Sequence, residues 1–304
     1  SQTERPGSTF LAIPQNFETE AAPDDARPLP VAIQGYRAPS PLQIDLAMNL
    51  IQKARYPVVL AGYGTVRANA TESLERFVDT FDLPVATTFM AKGVLSDRHP
   101  NVMGTIGYTT HDYENFAFDK ADLIIAIGFE LQEFDPVRIN PKGDTPVVHI
   151  HCFMQDVDKS YPVAVNIIAD IPASLDALTE KQVTGITRSE RLEKKIREDL
   201  LHELEEGSTD TRFPLRPERI IADIRHVMGD DDIVLADTGA IKMWMARLYP
   251  TYKPSTCLIT NGLSTMSFAL PGALGARIAC PDKKILAVMG DGSFLMNSQE
   301  LETA

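Results

Sequence analysis

The chain has 304 residues, of which 44% are hydrophobic and 23% are charged, and its formal net charge at pH 7 is -13. This acidity excludes nucleic acid as an expected partner, because phosphate binding needs a basic surface. No apolar run approaches the length of a membrane span and no signal peptide is evident, so we expect no membrane association.

The first residues look like the end of something that lies upstream. Ser8 to Pro14 form a short apolar run that predicts a strand, and residues 21–39 are rich in Ala, Pro and Asp, which predicts a linker. We assign residues 1–20 to that terminal strand. Because the chain starts with Ser1 rather than Met, we expect a fragment or a processed product.

Residues 40–180 predict a doubly wound α/β domain. A helix should begin at Ser40-Pro41, with Ile44, Ala47 and Ile51 on its buried face. Predicted strands follow at residues 57–61, 85–88, 122–127, 146–151 and 165–169. Continuous apolar strands that alternate with amphipathic helices are typical of a parallel sheet covered on both faces.

Two features of this domain invite a binding role, and the sequence disfavours both. Gly62-Tyr63-Gly64 follows a strand, but Arg67 stands where a dinucleotide loop has its third glycine, so we predict a tight strand-to-helix turn. His151-Cys152 lies in an alternating run that predicts ordinary strand packing rather than a metal site. The other two cysteines, Cys257 and Cys280, are distant, which indicates a reducing compartment and a cytoplasmic protein.

Residues 181–213 predict an interdomain connection. They are highly charged, and a narrow apolar stripe at four-residue spacing predicts a surface helix over 189–206. The stripe consists of Leu192, Ile196, Leu200 and Leu204. We expect the charges of this helix to be solvated.

Residues 214–304 predict a second, truncated α/β domain. Predicted helices at 217–227, through Trp244 to Tyr249, and at 268–279 alternate with predicted strands at 233–236, 257–260 and 285–289. Three loops rich in small residues follow the three strands, at 237–240, 261–267 and 290–293. In an open parallel sheet, ligands bind outside the carboxyl ends of the strands.

These loops predict a phosphate site that contains a metal ion. Backbone N–H groups of small-residue loops can approach a phosphate closely. Asp291 stands between Gly290 and Gly292 and offers a hard oxygen ligand, and Mg²⁺ takes oxygen ligands that include phosphate. The sequence therefore predicts a Mg²⁺-diphosphate site with Asp291 as one metal ligand.

The same loops resemble those of a known enzyme family. Gly290-Asp291-Gly292-Ser293, with Asn297, Glu300-Leu301 and Thr303-Ala304 after it, resembles the opening of the thiamine diphosphate motif. Residues 261–271 are similar to the loop that binds the aminopyrimidine in acetolactate synthases. Asp237-Thr238-Gly239 with Met243-Trp244 is similar to their diphosphate loop. The resemblance covers the whole chain and implies a pyrimidine-domain strand, a middle domain and the first part of a diphosphate-binding domain.

The resemblance also implies roles for particular residues. Asp291 would bind Mg²⁺, the carbonyl of Ser264 would accept a bond from the amino group of the pyrimidine, and Met266 would support the bent cofactor and donate its N–H to the ring. The remaining residues expected at the cofactor, mostly through their backbone at the diphosphate, are Gly239, Ala240, Ile241, Gly290, Gly292 and Ser293.

Within the family, the middle domain resembles the catabolic type that lacks FAD. Residues 128–130 and 133–136 match that type, whereas the flavin-containing anabolic enzymes have an Arg-Phe-Asp-Asp-Arg stretch that is absent here. Bound FAD is therefore disfavoured. Ala240-Ile241 replaces a Gln-His pair common in the family, and Ser264 and Ser267 replace glycines, so the substrate is left open.

The activity that the resemblance implies is the decarboxylating condensation of two pyruvates to 2-acetolactate and CO₂, by a homodimer or homotetramer. The activating glutamate would lie upstream of Ser1 and a closing asparagine ligand beyond Ala304, so this chain would hold no catalytic residue. We expect the 304-residue chain alone to be inactive, and acetoin formation from pyruvate would contradict that. The alternatives are a pyruvate oxidase, a glyoxylate carboligase, a sulfoacetaldehyde acetyltransferase or a non-catalytic paralogue that only binds.

Overall fold

A computed structural model describes residues 10–28, 35, 37–107, 115–181 and 192–304. The predicted N-terminal strand is wrong over its described part: residues 10–14 have no regular structure, and a 3-10 helix, Gln15–Thr19, follows. Residues 10–28 are exposed throughout, and a strand needs a hydrogen-bonded neighbour that they do not have among the described residues. The first nine residues and most of 29–36 lie outside the described residues.

The central domain is a six-stranded parallel sheet with helices on both faces. Its elements, in chain order, are α1 (Pro41–Lys53), β1 (Pro57–Ala61), α2 (Tyr63–Arg67), α3 (Thr71–Phe81), β2 (Val85–Thr87), β3 (Val102–Thr105), α4 (Asn115–Lys120), β4 (Leu123–Ile127), β5 (Val147–His151), β6 (Val163–Ile168) and α5 (Ile171–Thr179). The strand order is β3-β2-β1-β4-β5-β6. This order is that of doubly wound sheets and confirms the predicted fold class.

The predicted strands of this domain are confirmed, but β3 was not predicted. It has only four residues and contains Gly104, a residue that strands usually avoid, so its pattern is too weak to distinguish from a loop. The predicted start of α1 is confirmed as to position, with Ile44, Ala47 and Ile51 buried. The hydroxyl of Ser40, however, accepts no capping hydrogen bond.

The second domain is a smaller parallel sheet. The connecting helix α6 (Leu192–Thr209) precedes it. The elements of the domain are α7 (Pro217–Val227), β7 (Ile233–Ala236), α8 (Ala240–Leu248), β8 (Cys257–Ile259), α9 (Ala269–Ala279), β9 (Ile285–Val288), α10 (Asp291–Met296) and a 3-10 helix, Ser298–Leu301. The strand order is β8-β7-β9, and both pairings are parallel. The helical pattern predicted after residue 290 is therefore two short helices.

Helix α6 lies between the domains and is not simply a surface helix. Glu193 is buried, and Ile196 packs in the core of the central domain. Arg197 donates to two carbonyl oxygens near β3, at 2.9 and 3.1 Å. Leu200 and Leu204 pack against the core of the second domain. The expectation that the charges of this helix are solvated is therefore wrong for Glu193 and Arg197. The helix packs on two domains, and this contact covers more of its surface than the narrow apolar stripe.

The two domains pack directly on each other. Phe89, which follows β2, is buried in the hydrophobic core of the second domain. The Oδ2 atom of Asp97 accepts from the backbone N–H of Thr251 at 2.7 Å. A Cβ at Gly93 would lie 2.4 Å from the carbonyl oxygen of Lys253, so this contact is close enough to require glycine. Among the described helices, none is both long and apolar enough to cross a membrane.

Candidate functional site

The three loops predicted to meet do lie at one edge of the second sheet. In the parallel registers, Ala236 at the end of β7 is paired with Ile259 at the end of β8 and with Val288 at the end of β9. All three strands therefore end side by side. The loops that follow, at 237–239, 260–268 and 289–290, leave the sheet at its carboxyl edge, where ligands of such sheets bind.

Asp237 joins the first loop to the second. Its side chain is fully buried and its Oδ1 accepts from the backbone N–H groups of Thr238, at 2.7 Å, and Ser267, at 2.8 Å. Its Oδ2 accepts from the N–H of Ala269 at 2.9 Å. In the sequence, Asp237 stands out only as part of a motif. The sequence signal for its role in joining the loops is an acid directly after a buried strand. A carboxylate buried there needs hydrogen-bond donors, and here the backbone N–H groups of the loops supply them.

Further hydrogen bonds join all three loops. The hydroxyl of Ser293 donates to the carbonyl oxygen of Thr238 at 3.4 Å. The hydroxyl of Thr238 donates to the carbonyl oxygen of Thr265, also at 3.4 Å. The side-chain amide of Asn297 donates to the carbonyl oxygen of Ser267 at 3.2 Å. The side chain of Ser293 therefore faces the protein, so a contact with a ligand would have to come from its backbone.

The glycines of these loops face open space. Among the described residues, no heavy atom beyond their chain neighbours and, at Gly292, the backbone of its own helix lies within 4 Å of the position that a Cβ would take at Gly239, Gly290 or Gly292. Gly239 has a φ of 133°, which favours glycine. These backbone segments are accessible to a ligand, and Gly239 directly precedes α8, whose first N–H groups are unsatisfied donors that attract anions.

The other predicted site residues have distinct surroundings. Met266 is 42% exposed, and Ser264 has a left-handed backbone with φ 45°. Ala240 is exposed at the start of α8, whereas the side chain of Ile241 is partly buried against the core. The hydroxyl of Ser267 is buried with no hydrogen-bond partner among the described residues.

The residues present fit a diphosphate that carries a metal ion. Asp291 is exposed at the start of α10, and its Oδ1 accepts the N–H of Gly292 at 2.9 Å. The described residues contain no group of three or more His, Cys, Asp or Glu that could hold a metal by themselves. A cation at Asp291 would therefore need oxygens from a phosphate and from water, as Mg²⁺ commonly does.

The turn at Gly62-Tyr63-Gly64 is closely packed, unlike the glycine loops of the candidate site. A Cβ at Gly62 would lie 2.4 Å from the Cα of Phe129, so this glycine serves close backbone packing. The N–H of Tyr63, which would face a phosphate in a dinucleotide loop, instead donates to both oxygens of Glu133, at 2.9 and 3.1 Å. The predicted strand-to-helix turn is thus confirmed, and a carboxylate of the chain itself occupies the position of an anion.

Glu133 is buried at this turn and was missed as a structural centre by sequence reasoning. It also accepts from the hydroxyl of Thr88 at 2.6 Å and from the N–H of Glu130 at 3.1 Å. Burial nevertheless raises the pKa of Glu133 from its ordinary value near 4.5 to about 7, because desolvation outweighs these donors.

This raised pKa predicts a pH dependence of stability. The folded protein holds a proton on Glu133 that the unfolded chain releases, so the stability that this proton provides is lost as the pH rises from about 4.5 to about 7. The loss attributable to Glu133 should be about 3 kcal/mol. Glu133→Gln should not show this loss. In urea unfolding of the full-length protein, its free energy of unfolding relative to that of wild type should therefore be about 3 kcal/mol higher at the upper pH than at the lower one.

A surface glutamate supplies the control. Glu205 is exposed on α6, and Glu205→Gln removes a carboxylate of the same size. This variant should keep the wild-type difference between the two pH values. Parallel pH profiles for Glu133→Gln and wild type would contradict the assignment.

The histidines of β5 are packing residues, as expected. His149 and His151 are buried, and the Nδ1 of His149 lies 2.9 Å from the hydroxyl of Tyr161. The Nδ1 of His151 accepts the N–H of Cys152 at 2.8 Å. These bonds are local to one face of the sheet and fit the predicted strand packing.

Comparison with known proteins identifies both domains. Residues 44–178 match the central domain of thiamine pyrophosphate enzymes, and residues 237–304 match the C-terminal TPP binding domain of these enzymes. The first match contains the six-stranded sheet, and the second begins at Asp237 and contains all three loops of the candidate site.

Several curated proteins are similar over nearly the whole chain. The probable acetolactate synthase large subunit of Methanococcus aeolicus is 31% identical over 324 residues, which cover 100% of this chain and 54% of the relative. The acetolactate synthase of Bacillus subtilis is 32% identical over 304 residues, which cover 98% and 53%. A putative thiamine pyrophosphate-containing protein of the same organism, YdaP, is 32% identical over 282 residues, which cover 90% and 47%.

The chain thus spans about half the length of these relatives. The matched segments coincide with the two domains of the structure, and the loops of the candidate site lie where the TPP binding domain is matched. The chain belongs to the thiamine pyrophosphate enzymes.

Proposed function

We propose that this chain is part of an acetolactate synthase, in which the full-length protein condenses two pyruvates to 2-acetolactate with release of CO₂. The observation that carries the proposal is the joined set of three loops at the carboxyl edge of β8-β7-β9, with accessible glycines and the exposed Asp291. The relatives named acetolactate synthase supply the reaction.

Thiamine diphosphate, when bound, supplies the electron sink that the decarboxylation of a 2-oxo acid needs. The protein supplies binding and orientation. Asp291 would hold Mg²⁺, and the backbone at Gly239, Gly292 and their neighbours would bind the diphosphate. These groups are fixed before the ligand arrives, because Asp237 and Ser293 tie the loops together.

The second loop would orient the pyrimidine ring. The carbonyl of Ser264 would accept from its amino group, and Met266, whose side chain projects with 42% exposure, would support the cofactor from below. The left-handed backbone at Ser264 turns the chain within this exposed loop. This chain would contribute no proton-transfer residue, since the activating glutamate is expected on the pyrimidine domain of a partner subunit.

An assay of the full-length protein tests the function. With thiamine diphosphate and Mg²⁺ present, pyruvate should be converted to 2-acetolactate, measured as acetoin after acid decarboxylation, with one acetolactate formed for two pyruvates consumed. Pyruvate consumption that gives no acetolactate would overturn the assignment. Omission of Mg²⁺, with a chelator added, should abolish the activity. The described residues offer few metal ligands besides Asp291, so a chelator should remove the ion that joins the diphosphate to this carboxylate.

A second candidate is another thiamine diphosphate enzyme: a pyruvate oxidase, a glyoxylate carboligase or a sulfoacetaldehyde acetyltransferase. The favouring observation is a relative of equal identity whose name gives only a thiamine pyrophosphate-containing protein. Assays with glyoxylate, or with phosphate as acceptor, separate these enzymes. A non-catalytic paralogue would turn over none of the substrates.

We also propose that the enzyme lacks FAD and forms a homodimer or homotetramer. The occupied turn at Gly62-Tyr63-Gly64 supports the first point, because the carboxylate of Glu133 takes the N–H that a flavin nucleotide phosphate would use there. Flavin absorbance of the purified protein tests it. Light scattering tests the oligomeric state.

A further inference from the structure

Lys242 is a buried cation directly beneath the second loop of the site. It lies in the first turn of α8 and is only 6% exposed. Its Nζ lies 2.8 Å from the hydroxyl oxygen of Ser264 and 3.2 Å from the side-chain oxygen of Asn261. It also lies 5.2 Å from the centre of the Phe89 ring, in cation-π contact.

The stability of the fold does not account for this cation. In the part of the chain that the structure describes, the Lys242 ammonium donates to two neutral oxygens and forms no ion pair. Burial lowers the pKa of Lys242, as expected for a charge removed from water. A buried ammonium without a carboxylate costs stability, and an apolar residue of similar size would avoid that cost.

The loop above Lys242 needs restraint. Ser264 and Ser267 have positive φ, at 45° and 65°, which non-glycine residues rarely adopt. Leu263 is 98% exposed and Met266 is 42% exposed, so the middle of the loop has little packing to hold it. The Ser267 end is held by Asp237, whereas the Ser264 part is held by the bond from Lys242.

Asn261 extends the same contact to the central domain. Its side-chain oxygen accepts from Lys242, and its side-chain nitrogen donates to the backbone carbonyl of Glu133. Lys242 therefore connects three parts of the molecule: the helix that follows the Gly239 loop, the loop from 261 to 267, and the central domain.

We propose that Lys242 is a positioning residue of the cofactor site, because its ammonium joins Ser264 and Asn261 and so holds the 261–267 loop in the shape that presents the Ser264 carbonyl and the Met266 N–H to a pyrimidine ring. This inference rests on the proposed function. It adds a residue that contacts no cofactor atom and acts through Ser264 and Asn261.

Amide hydrogen exchange of the cofactor-free, full-length protein tests the restraint directly. In Lys242→Met, which keeps the length and removes the donors, peptides covering 261–267 should exchange about tenfold faster, while peptides from β7 should be unchanged. Lys253→Met is the matched control, since Lys253 pairs with Asp231 at the surface. Equal exchange of the loop in Lys242→Met and wild type would overturn the proposal.

Cofactor affinity gives the second readout. By calorimetry with Mg²⁺ present, Lys242→Met should bind thiamine diphosphate about tenfold more weakly, and Ser264→Ala should bind it several-fold more weakly. The double variant should bind thiamine diphosphate no more weakly than Lys242→Met, because both substitutions delete the same bond between Lys242 and Ser264. Fully additive losses would overturn the proposal.

The two hypotheses fail in different ways. If wild type binds no thiamine diphosphate, the proposed function fails, while the exchange result on the cofactor-free protein still decides whether Lys242 restrains the loop. If Lys242→Met does not fold, Ser264→Ala replaces it in the exchange experiment, because Ser264 lies in a partly exposed loop. Unchanged loop exchange in Ser264→Ala would then contradict the restraint.

Discussion

Replacing Asp237 with alanine should lower the free energy of unfolding by about 3 kcal/mol and abolish cofactor binding. The variant leaves the buried N–H groups of Ser267 and Ala269 without an acceptor, and each lost bond to a carboxylate costs free energy. The second loop would then lose its closest attachment to the first, and the 3.4 Å bond from the Thr238 hydroxyl to the Thr265 carbonyl oxygen would remain. Urea unfolding and calorimetric titration of the full-length protein measure the two effects.

Two further variants define the cause. Asp237→Asn keeps one acceptor oxygen, so it should lose about half as much stability as the alanine variant. Asp231→Ala removes an exposed carboxylate that pairs with Lys253 and should change stability by less than about 0.5 kcal/mol. If Asp237→Ala were as stable as wild type, the inferred role of this carboxylate as the link between the loops would be wrong.

Asp291→Ala should weaken thiamine diphosphate binding in the presence of Mg²⁺ by roughly 100-fold without destabilising the fold. The carboxylate is exposed, and its one described bond is to the N–H of Gly292, so its removal leaves no buried group unsatisfied. Calorimetric titration of Mg²⁺ at fixed cofactor, and of cofactor at fixed Mg²⁺, should show the same loss because the two bind together.

Charge and position can be separated at this site. Asp291→Asn keeps an oxygen but loses the charge, so its affinity should lie between those of wild type and Asp291→Ala. Asp282→Ala removes an exposed acid before β9 and should bind the cofactor as wild type does. Wild-type affinity in Asp291→Ala would remove Asp291 from the metal site and with it the metal part of the proposed function.

The regular elements could be predicted because local patterns specify them. Helix α7 was predicted at its observed bounds, since Pro217 opens it and its apolar residues have helical spacing. The short strand β3 was missed, because four residues with a glycine carry too little pattern. The run at residues 10–14 has the composition of a strand but not its structure, because a strand depends on its neighbours.

The candidate site likewise contains some residues that could be predicted from the sequence and others that could not. Gly239, Asp291 and Gly292 could be found from the sequence, because small residues and an acid directly after strands indicate a phosphate site. Lys242 and Glu133 could not be found. Each is a charged residue whose sequence neighbours give no sign of its environment, and only its burial distinguishes it.

The fold class, the order of the two domains and the three loops that follow β7, β8 and β9 could all be predicted from the amino-acid sequence. These features depend on short-range periodicity and on residue types at strand ends. The folded structure was needed to show that Asp237 holds Ser267 and Ala269, that Lys242 supports Ser264, and that α6 packs between the domains. Burial and hydrogen-bond partners arise between residues far apart in the chain, and no local pattern shows which of them will meet.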